Sequence, residues 1–422
     1  MSPSSTSIKF DSLLNYLYSL QRLGIKVGLR HTFELLSRCG NPQSNFKSIH
    51  VAGTNGKGST CAVISSILEA AGLRVGLYTS PHLVRFNERI RVNGEAISDT
   101  EIVRFIECHR KDIDKIESTF FETTTAMAFQ YFADKKVDVA VVETGLGGRL
   151  DSTNVLQSDL TVITSISLDH REILGDDIIA ITKEKGGIIK KETPLVLGQQ
   201  STKVKSELSI LAQKMNSPVI EVKPPSFSNL SESETAFDYV GESYSIPLVG
   251  LHQAINASIG IESVKSFMPG IEKKIIDIGL MKTNWPGRLQ RMSENYPIYY
   301  DVAHNAHGLI SVFETIEIVF AQKPLGLFVM KGDKEIDLVV QALVNQFEKL
   351  IISGAPEFGL MPASQMSEIF LKYGLSDFEV IDSFHDALDK IVELSQEAGR
   401  PTLILGSHYI AKEVFNKFGF IF

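Results

Sequence analysis

Nine residues limit the folds open to this chain more than any others: Val51-Ala52-Gly53-Thr54-Asn55-Gly56-Lys57-Gly58-Ser59. Ile49-His50-Val51 is an apolar run that reads as the end of a buried strand. Beyond the glycines, Val63, Ile64, Ile67, Leu68 and Ala71 recur at helical spacing, and Gly72 supplies a stop. A strand that turns through glycines into a helix gathers backbone N–H groups around one point. The helix N-terminus adds partial positive charge there, and Lys57 a full one. Gly53, Gly56 and Gly58 permit the turn and leave room for phosphate oxygens. The spacing is not G-x-x-x-x-G-K-[ST], because Gly58 separates Lys57 from Ser59. The competing reading is a glycine-rich connection with an incidental lysine. The strand and helix around it favour a nucleotide triphosphate site.

Three later segments deliver polar groups from strand ends. Arg74 to Tyr78 reads as a strand ending at Thr79-Ser80-Pro81-His82, where Ser80 is either a turn-capping hydroxyl or a Mg²⁺ ligand. Val137 to Val142 is a near-continuous apolar strand, as in a parallel sheet buried on both faces, and it ends in Glu143. A carboxylate in that position can hold a metal ion beside a phosphate loop. A second glycine loop follows, with Gly145, Gly147, Gly148, Arg149 and Asp151. Leu160 to Ile166 is another strand, and His170 after it falls at the same end of the sheet.

The remaining pattern divides the chain. Phe10 to Leu23 and Phe120 to Phe132 are helical; Asn87 to Glu95 alternates around an Asn-Gly turn and reads as an excursion from the sheet, able to cover a substrate. Ile178 to Lys190 is a helix whose Lys183-Glu184-Lys185 reads, from charge alone, as a solvated face. Ser201 to Pro247 holds a helix and edge strands, and Gly250 to Phe267 another helix. The pattern breaks at Trp285-Pro286-Gly287-Arg288 and restarts with Ile298-Tyr299-Tyr300-Asp301. Later strands at Leu325 to Met330, Leu350 to Ser353, Phe378 to Ile381 and Thr402 to Leu405 alternate with helices. The expected architecture is α/β: an N-terminal domain with the phosphate loop and a parallel sheet (1–286), a linker (287–296) and a smaller α/β domain with its own parallel sheet (297–422).

Composition removes several classes. A net charge of −8 without a Lys/Arg stripe argues against nucleic acid. Cys39, Cys61 and Cys108 have no metal or redox spacing, which suits a reducing compartment. Met1 to Lys9 is polar and Ser-rich, unlike a signal peptide, and no apolar run approaches membrane-spanning length. A cytoplasmic protein without membrane partners is expected.

Taken together, His50 to Ser59, Thr79-Ser80-Pro81-His82, Glu143-Thr144-Gly145-Leu146-Gly147-Gly148-Arg149-Leu150-Asp151 and Asp301-Val302-Ala303-His304-Asn305 resemble folylpolyglutamate synthase/dihydrofolate synthase. That family is a branch of the Mur ligase superfamily, which implies an N-terminal P-loop ATPase domain and a C-terminal Rossmann-like α/β domain with the active site between them. The likeness keeps the same order across nearly the whole chain. It implies ATP phosphates held by Thr54, Asn55, Gly56, Lys57, Gly58 and Ser59, with Asn256, Arg288 and Asp301 as further ATP contacts. Ser80, Glu143 and His170 are implied ligands of Mg²⁺, two ions in all. Thr119, Phe120, Phe121 and Glu122, with Leu150, Asp151 and Ser152, match the segments that line a pterin site. Lys185 matches a lysine carried as a carbamate, which overturns the solvated-face reading. Lys57, His170 and Lys185 would then serve the reaction directly. Gly186 stands where the family usually has alanine, Asp177 where threonine is common, and Ala306 where proline is frequent.

The implied activity is ATP-dependent ligation of L-glutamate to dihydropteroate, to folates already bearing glutamate, or to both, by a monomer. A monovalent-cation requirement stays open. Two rivals are an amide ligase acting on a cell-wall precursor and an ATPase switch that ligates nothing. The short segment before Gly53, about fifty residues, counts against the first. The covering loops and second α/β domain count against the second.

Overall fold

The computed structural model describes residues 5–24, 28–168, 177–332 and 336–420. Its largest sheet contains β1 (Lys47–Ala52), β2 (Val75–Tyr78), β3 (Ile90–Val92), β4 (Glu95–Ala96), β5 (Val139–Glu143), β6 (Leu160–Ile163), β7 (Leu195–Leu197) and β8 (Val219–Glu221). The order is β4-β3-β2-β5-β1-β6-β7-β8. Every pairing from β2 to β8 is parallel. β1 is central, with Val51 opposite Glu143 of β5 on one side and Val162 of β6 on the other. The loops leaving β1, β5 and β6 therefore open around one crevice at the strands' C-terminal ends.

Alternation along these buried strands feeds two cores. Ile49, Val51, Val139 and Val141 pack with Val63, Ile64, Ile67 and Leu68 of the helix Lys57–Ala70. On the opposite face, Tyr78, Ala140 and Val142 meet Phe129 and Phe132 of the helix Phe120–Asp134. Both faces are dry, which is why the strands read as continuous apolar runs. A three-stranded antiparallel sheet of β9 (Ser226–Leu230), β10 (Thr235–Tyr239) and β11 (Glu242–Ile246) follows.

The second large sheet contains β12 (Gln290–Arg291), β13 (Ile298–Tyr300), β14 (Leu325–Phe328), β15 (Lys349–Gly354), β16 (Glu379–Ser383) and β17 (Thr402–Leu405), in the order β12-β13-β17-β14-β15-β16. It is parallel except at β12. Gln290 and Arg291, within the stretch read as a linker, thus pair with Tyr300 and Tyr299.

Two local expectations need correction. The Asn87–Glu95 segment is not an excursion: β3 pairs antiparallel with β2 and β4 with β3, extending the sheet. Asn93 (φ 49°) and Gly94 (φ 78°) make the hairpin turn. The helix expected to reach Lys190 runs Ile178–Gly186 and ends at the Gly186-Gly187 pair. Among the described residues, no helix is long and apolar enough to cross a membrane.

Candidate active site

The loop after β1 is shaped by contacts that exclude side chains. Gly53 has φ 155°, and a Cβ there would lie 1.8 Å from Thr164 Oγ1 at the end of β6. Gly56 is left-handed at φ 82°, with Asn256 Oδ1 only 2.2 Å from where a Cβ would sit. Asn256 is thereby placed directly against the loop. Lys57 opens the helix, and its Nζ donates to the carbonyls of Gly53 (3.2 Å) and Thr54 (3.1 Å). The Thr54 hydroxyl donates to Ser167 O at 2.9 Å, and Ser167 N donates back to it at 3.1 Å. Gly58 packs under the Trp285 ring, and Ser59 is buried in the first helical turn.

Glu143, at the end of β5, is buried and accepts a hydrogen bond from Ser80 N at 3.0 Å. Burial pushes its carboxyl up, while Lys57, the Ser80 N–H, Arg288 and Arg89 pull it back. Glu143 makes no ion pair among the described residues, and Ser80, bonded to it through the backbone N–H, brings a hydroxyl on the same residue. A buried carboxylate and a hydroxyl are hard oxygen donors of the kind Mg²⁺ takes together with phosphate oxygens and water, so these residues fit the ion. The third expected ligand, His170, lies outside the described residues.

Lys185 is 4% exposed, and its Nζ donates to Gly53 O at 2.7 Å. The charge-based reading of a solvated face is wrong at this residue, because the helix presses its inner side against the phosphate loop. Its neighbours Lys183 and Glu184, the latter paired with Arg149 (2.8 Å), border the cavity. The three departures from the family pattern have local reasons. Asp177 caps this helix by accepting from Ile179 N at 3.0 Å, a task threonine also performs. A Cβ on Gly186 would lie 2.6 Å from Leu211 Cδ1, so the neighbouring leucine fills the alanine's space. Ala306 is the first residue of its helix, where proline is favoured and alanine keeps the helix intact.

One cavity of about 990 Å³ runs past Thr54, Asn55, Lys57 and Ser80 to an aromatic floor. Thr119 caps the helix there, its N–H donating to Glu122 Oε2 at 2.7 Å in a reciprocal box. Phe121 stacks on Tyr78 and covers Gly145, where a Cβ would come within 2.4 Å of the ring. Phe120 lies between Tyr18 and the Arg89 guanidinium. Leu150, Asp151 and Ser152 line the same wall. Asp151 accepts from the N–H groups of Gly145, Leu146 and Thr153 and from the Thr153 hydroxyl. Two bonds on each oxygen make it the brace of the second glycine loop.

The second domain closes the other side. Asp301, at the end of β13, is buried and accepts from Leu289 N (2.8 Å) and Ala303 N (2.7 Å). Burial raises its carboxyl and Arg288 opposes this. Asn305 caps the helix Ala306–Phe320, and its Nδ2 donates to Asn55 Oδ1 at 3.1 Å across the cleft. Asn55 Nδ2 also meets His307 Nδ1 at 3.2 Å. The sequence reading missed Arg89, Ser407 and His408 as cavity residues and gave His304 no role. His408 is held down to about 3, first by burial and then by His304, His82, Arg89 and Arg288. Ser407 and His408 follow β17 at its C-terminal end, and that position was the available signal.

Comparison with known proteins decides the family. Residues 51–264 match the Mur ligase middle domain, and residues 287–408 the Mur ligase glutamate ligase domain. The dihydrofolate synthase/folylpolyglutamate synthase of Bacillus subtilis is 34% identical over 96% of this chain and 98% of its own length. The chain belongs to the dihydrofolate synthase/folylpolyglutamate synthase family of Mur ligases. A crystal structure of Mycobacterium tuberculosis folylpolyglutamate synthase with ADP and AMPPCP matches with a TM-score of 0.89 at 31% identity, covering 97% of this chain and 99% of that one. A bifunctional folylpolyglutamate synthase/dihydrofolate synthase with Mn, AMPPNP and L-glutamate bound matches at 0.85 and 29% identity, covering 99% and 100%. Members of this family are ATP-dependent ligases, and both domains of the architecture are present here.

Proposed function

We propose that this chain joins L-glutamate to the carboxylate of dihydropteroate, of folates already bearing glutamate, or of both, using ATP and a divalent metal. The observation that supports this most is the single cavity in which the phosphate loop, Ser80 (its N–H held by Glu143), an aromatic floor and second-domain residues face one another. Such a space suits two substrates and a nucleotide better than a switch. The division into 1–286, 287–296 and 297–422, the monomeric state and the cytoplasmic setting belong to the same reading.

Hydroxide is too poor a leaving group for an amine to displace from a carboxylate. In the proposed reaction a substrate carboxylate oxygen attacks the γ-phosphorus of ATP and ADP leaves, giving an acyl phosphate. The glutamate nitrogen then bonds to the acyl carbon, the C–O bond to phosphate breaks, and the nitrogen loses a proton. Thr54 to Ser59 hold the phosphates, and Asn256, Arg288 and Asp301 complete the ATP contacts. Lys57 turns from its own loop's carbonyls to offset charge on the transferring group. Ser80 and Glu143, with His170, would hold Mg²⁺, as two ions; when bound it neutralises phosphate charge. Thr119 to Glu122 and Leu150 to Ser152 hold the pterin, with Phe121 as a stacking surface. Arg89, His304 and His408 face the incoming carboxylates. The second domain excludes water that would hydrolyse the acyl phosphate.

Lys185 is read as a carbamate. Carbamylation needs a neutral amine, which burial favours. The carbamate retains an N–H, so the bond to Gly53 O survives the modification. The test of the whole reading is one assay with labelled glutamate: label should enter pteroate- or folate-containing product only with ATP and Mg²⁺. ATP turnover indifferent to both acceptors would remove it.

A further inference from the structure

We propose that His82 is a positioning residue that aims the Arg89 guanidinium into the cavity as a receptor for a substrate carboxylate. This rests on the ligase reading above and adds a residue to it. Arg89 is 8% exposed and lines the cavity. Among the described residues it forms no ion pair, and its hydrogen bond is from Nε to His82 Nδ1 at 2.8 Å. A guanidinium that deeply buried is unfavourable unless something orients it and an anion meets it.

The direction of that bond fixes the imidazole. Arginine can only donate, so His82 Nδ1 accepts and the ring proton sits on Nε2, 3.4 Å from the Tyr18 hydroxyl. The ring is wedged by Tyr18 and by Phe86, which it meets edge-on. Its loop is fastened too: the Glu88 carboxylate accepts from the N–H groups of Leu83 (2.9 Å), Val84 (2.8 Å) and Arg85 (2.5 Å). The guanidinium face rests on Phe120, 5.3 Å from the ring centre. With one edge held by His82 and one face by Phe120, the Nη1/Nη2 edge is left for the cavity. That edge is a planar fork, complementary to a carboxylate.

Kinetics of the purified chain test the role. His82→Phe keeps the ring packing and removes the acceptor; His82→Asn puts an amide oxygen near the place of Nδ1. His82→Phe should raise KM for one carboxylate substrate about tenfold, in keeping with a charge-assisted bond. KM for ATP and kcat should stay within about twofold, and His82→Asn should recover most of the loss. In an Arg89→Ala background, His82→Phe should add nothing. A parallel rise in KM for ATP would assign the fork to phosphate and overturn the proposal, as would unchanged constants or failure of His82→Asn to rescue. Nitrogen NMR of the histidine rings gives a readout independent of ligation. His82 should carry its proton on Nε2, and Arg89→Ala should shift its Nδ1 resonance. An Nδ1-protonated ring would overturn the proposal even if the wild-type chain ligated nothing.

Discussion

At the phosphate-loop end of the cavity, position is set by backbone. Gly53, Gly56 and Lys57 lie within five residues of one another along the chain, and Thr164 at the end of β6 and Asn256 on the helix Leu251–Phe267 press on the two glycines. At the opposite wall, polar groups come from side chains of well-separated segments of both domains: Arg89 before β3, His304 after β13, and Ser407 and His408 after β17. The first arrangement is contiguous and shows itself as a motif. The second exists only after two sheets have been folded and brought together. A backbone-built site concentrates its chemistry in very few side chains, whereas a side-chain-built one spreads binding over many.

That contrast orders the expected effects. Lys57→Ala should lower kcat by about 10²- to 10³-fold with the fold intact, since one pre-placed charge serves the transferring group. Near wild-type turnover at saturating ATP would erase the distinction between the two ends. Glu143→Gln should lower activity about 10²-fold and sharply raise the Mg²⁺ requirement, checked by titrating the ion. An unchanged titration would move the metal site elsewhere. Lys185→Ala should lose activity by roughly tenfold or more, with partial rescue by short carboxylates; a fully active Lys185→Arg would mean that charge, not a carbamate, is needed. His408→Gln should change kcat little and raise KM for glutamate a few-fold, consistent with binding shared among neighbours. A collapse of kcat there would make the two ends alike.

The smallest effect at neutral pH tests the strand between them. His50 is fully buried, and burial followed by the nearby Lys190 holds it down to about 3. Below about pH 6.5 the unfolded chain takes up a proton that the folded chain refuses. Stability from this residue is therefore complete above that pH and is lost on acidification, by about 1.4 kcal/mol per pH unit until about pH 3. Urea unfolding at pH 7 and 5.5 should show a shallower loss for His50→Gln. Equal slopes would mean that His50 is charged in the fold.

The sequence made the architecture legible because the central strands of both sheets are buried on both faces, so apolar runs and their polar ends stand out. β3 and β4 were visible as an alternating hairpin, but nothing local said that β2 had an open edge to receive them. Lys185 was illegible from charge, since Lys183-Glu184-Lys185 looks the same whether the helix faces water or the Gly53 carbonyl. Only the resemblance singled it out. Arg89 lay in plain view inside the hairpin segment, yet its burial depends on Phe120, His82 and Tyr18 from three other segments.

Asn55 is next but one to Lys57, yet its side-chain amide is bonded to Asn305 and His307 of the other domain. Both bonds are near the limit of a direct hydrogen bond, so parting the domains by about an ångström would break them. On the proposed reading, in which Asn55 holds ATP phosphates, grip on the nucleotide and closeness of the domains become two readings of one equilibrium. Whatever tightens the loop must favour the closed cleft, and a closed cleft must tighten the loop by the same free energy.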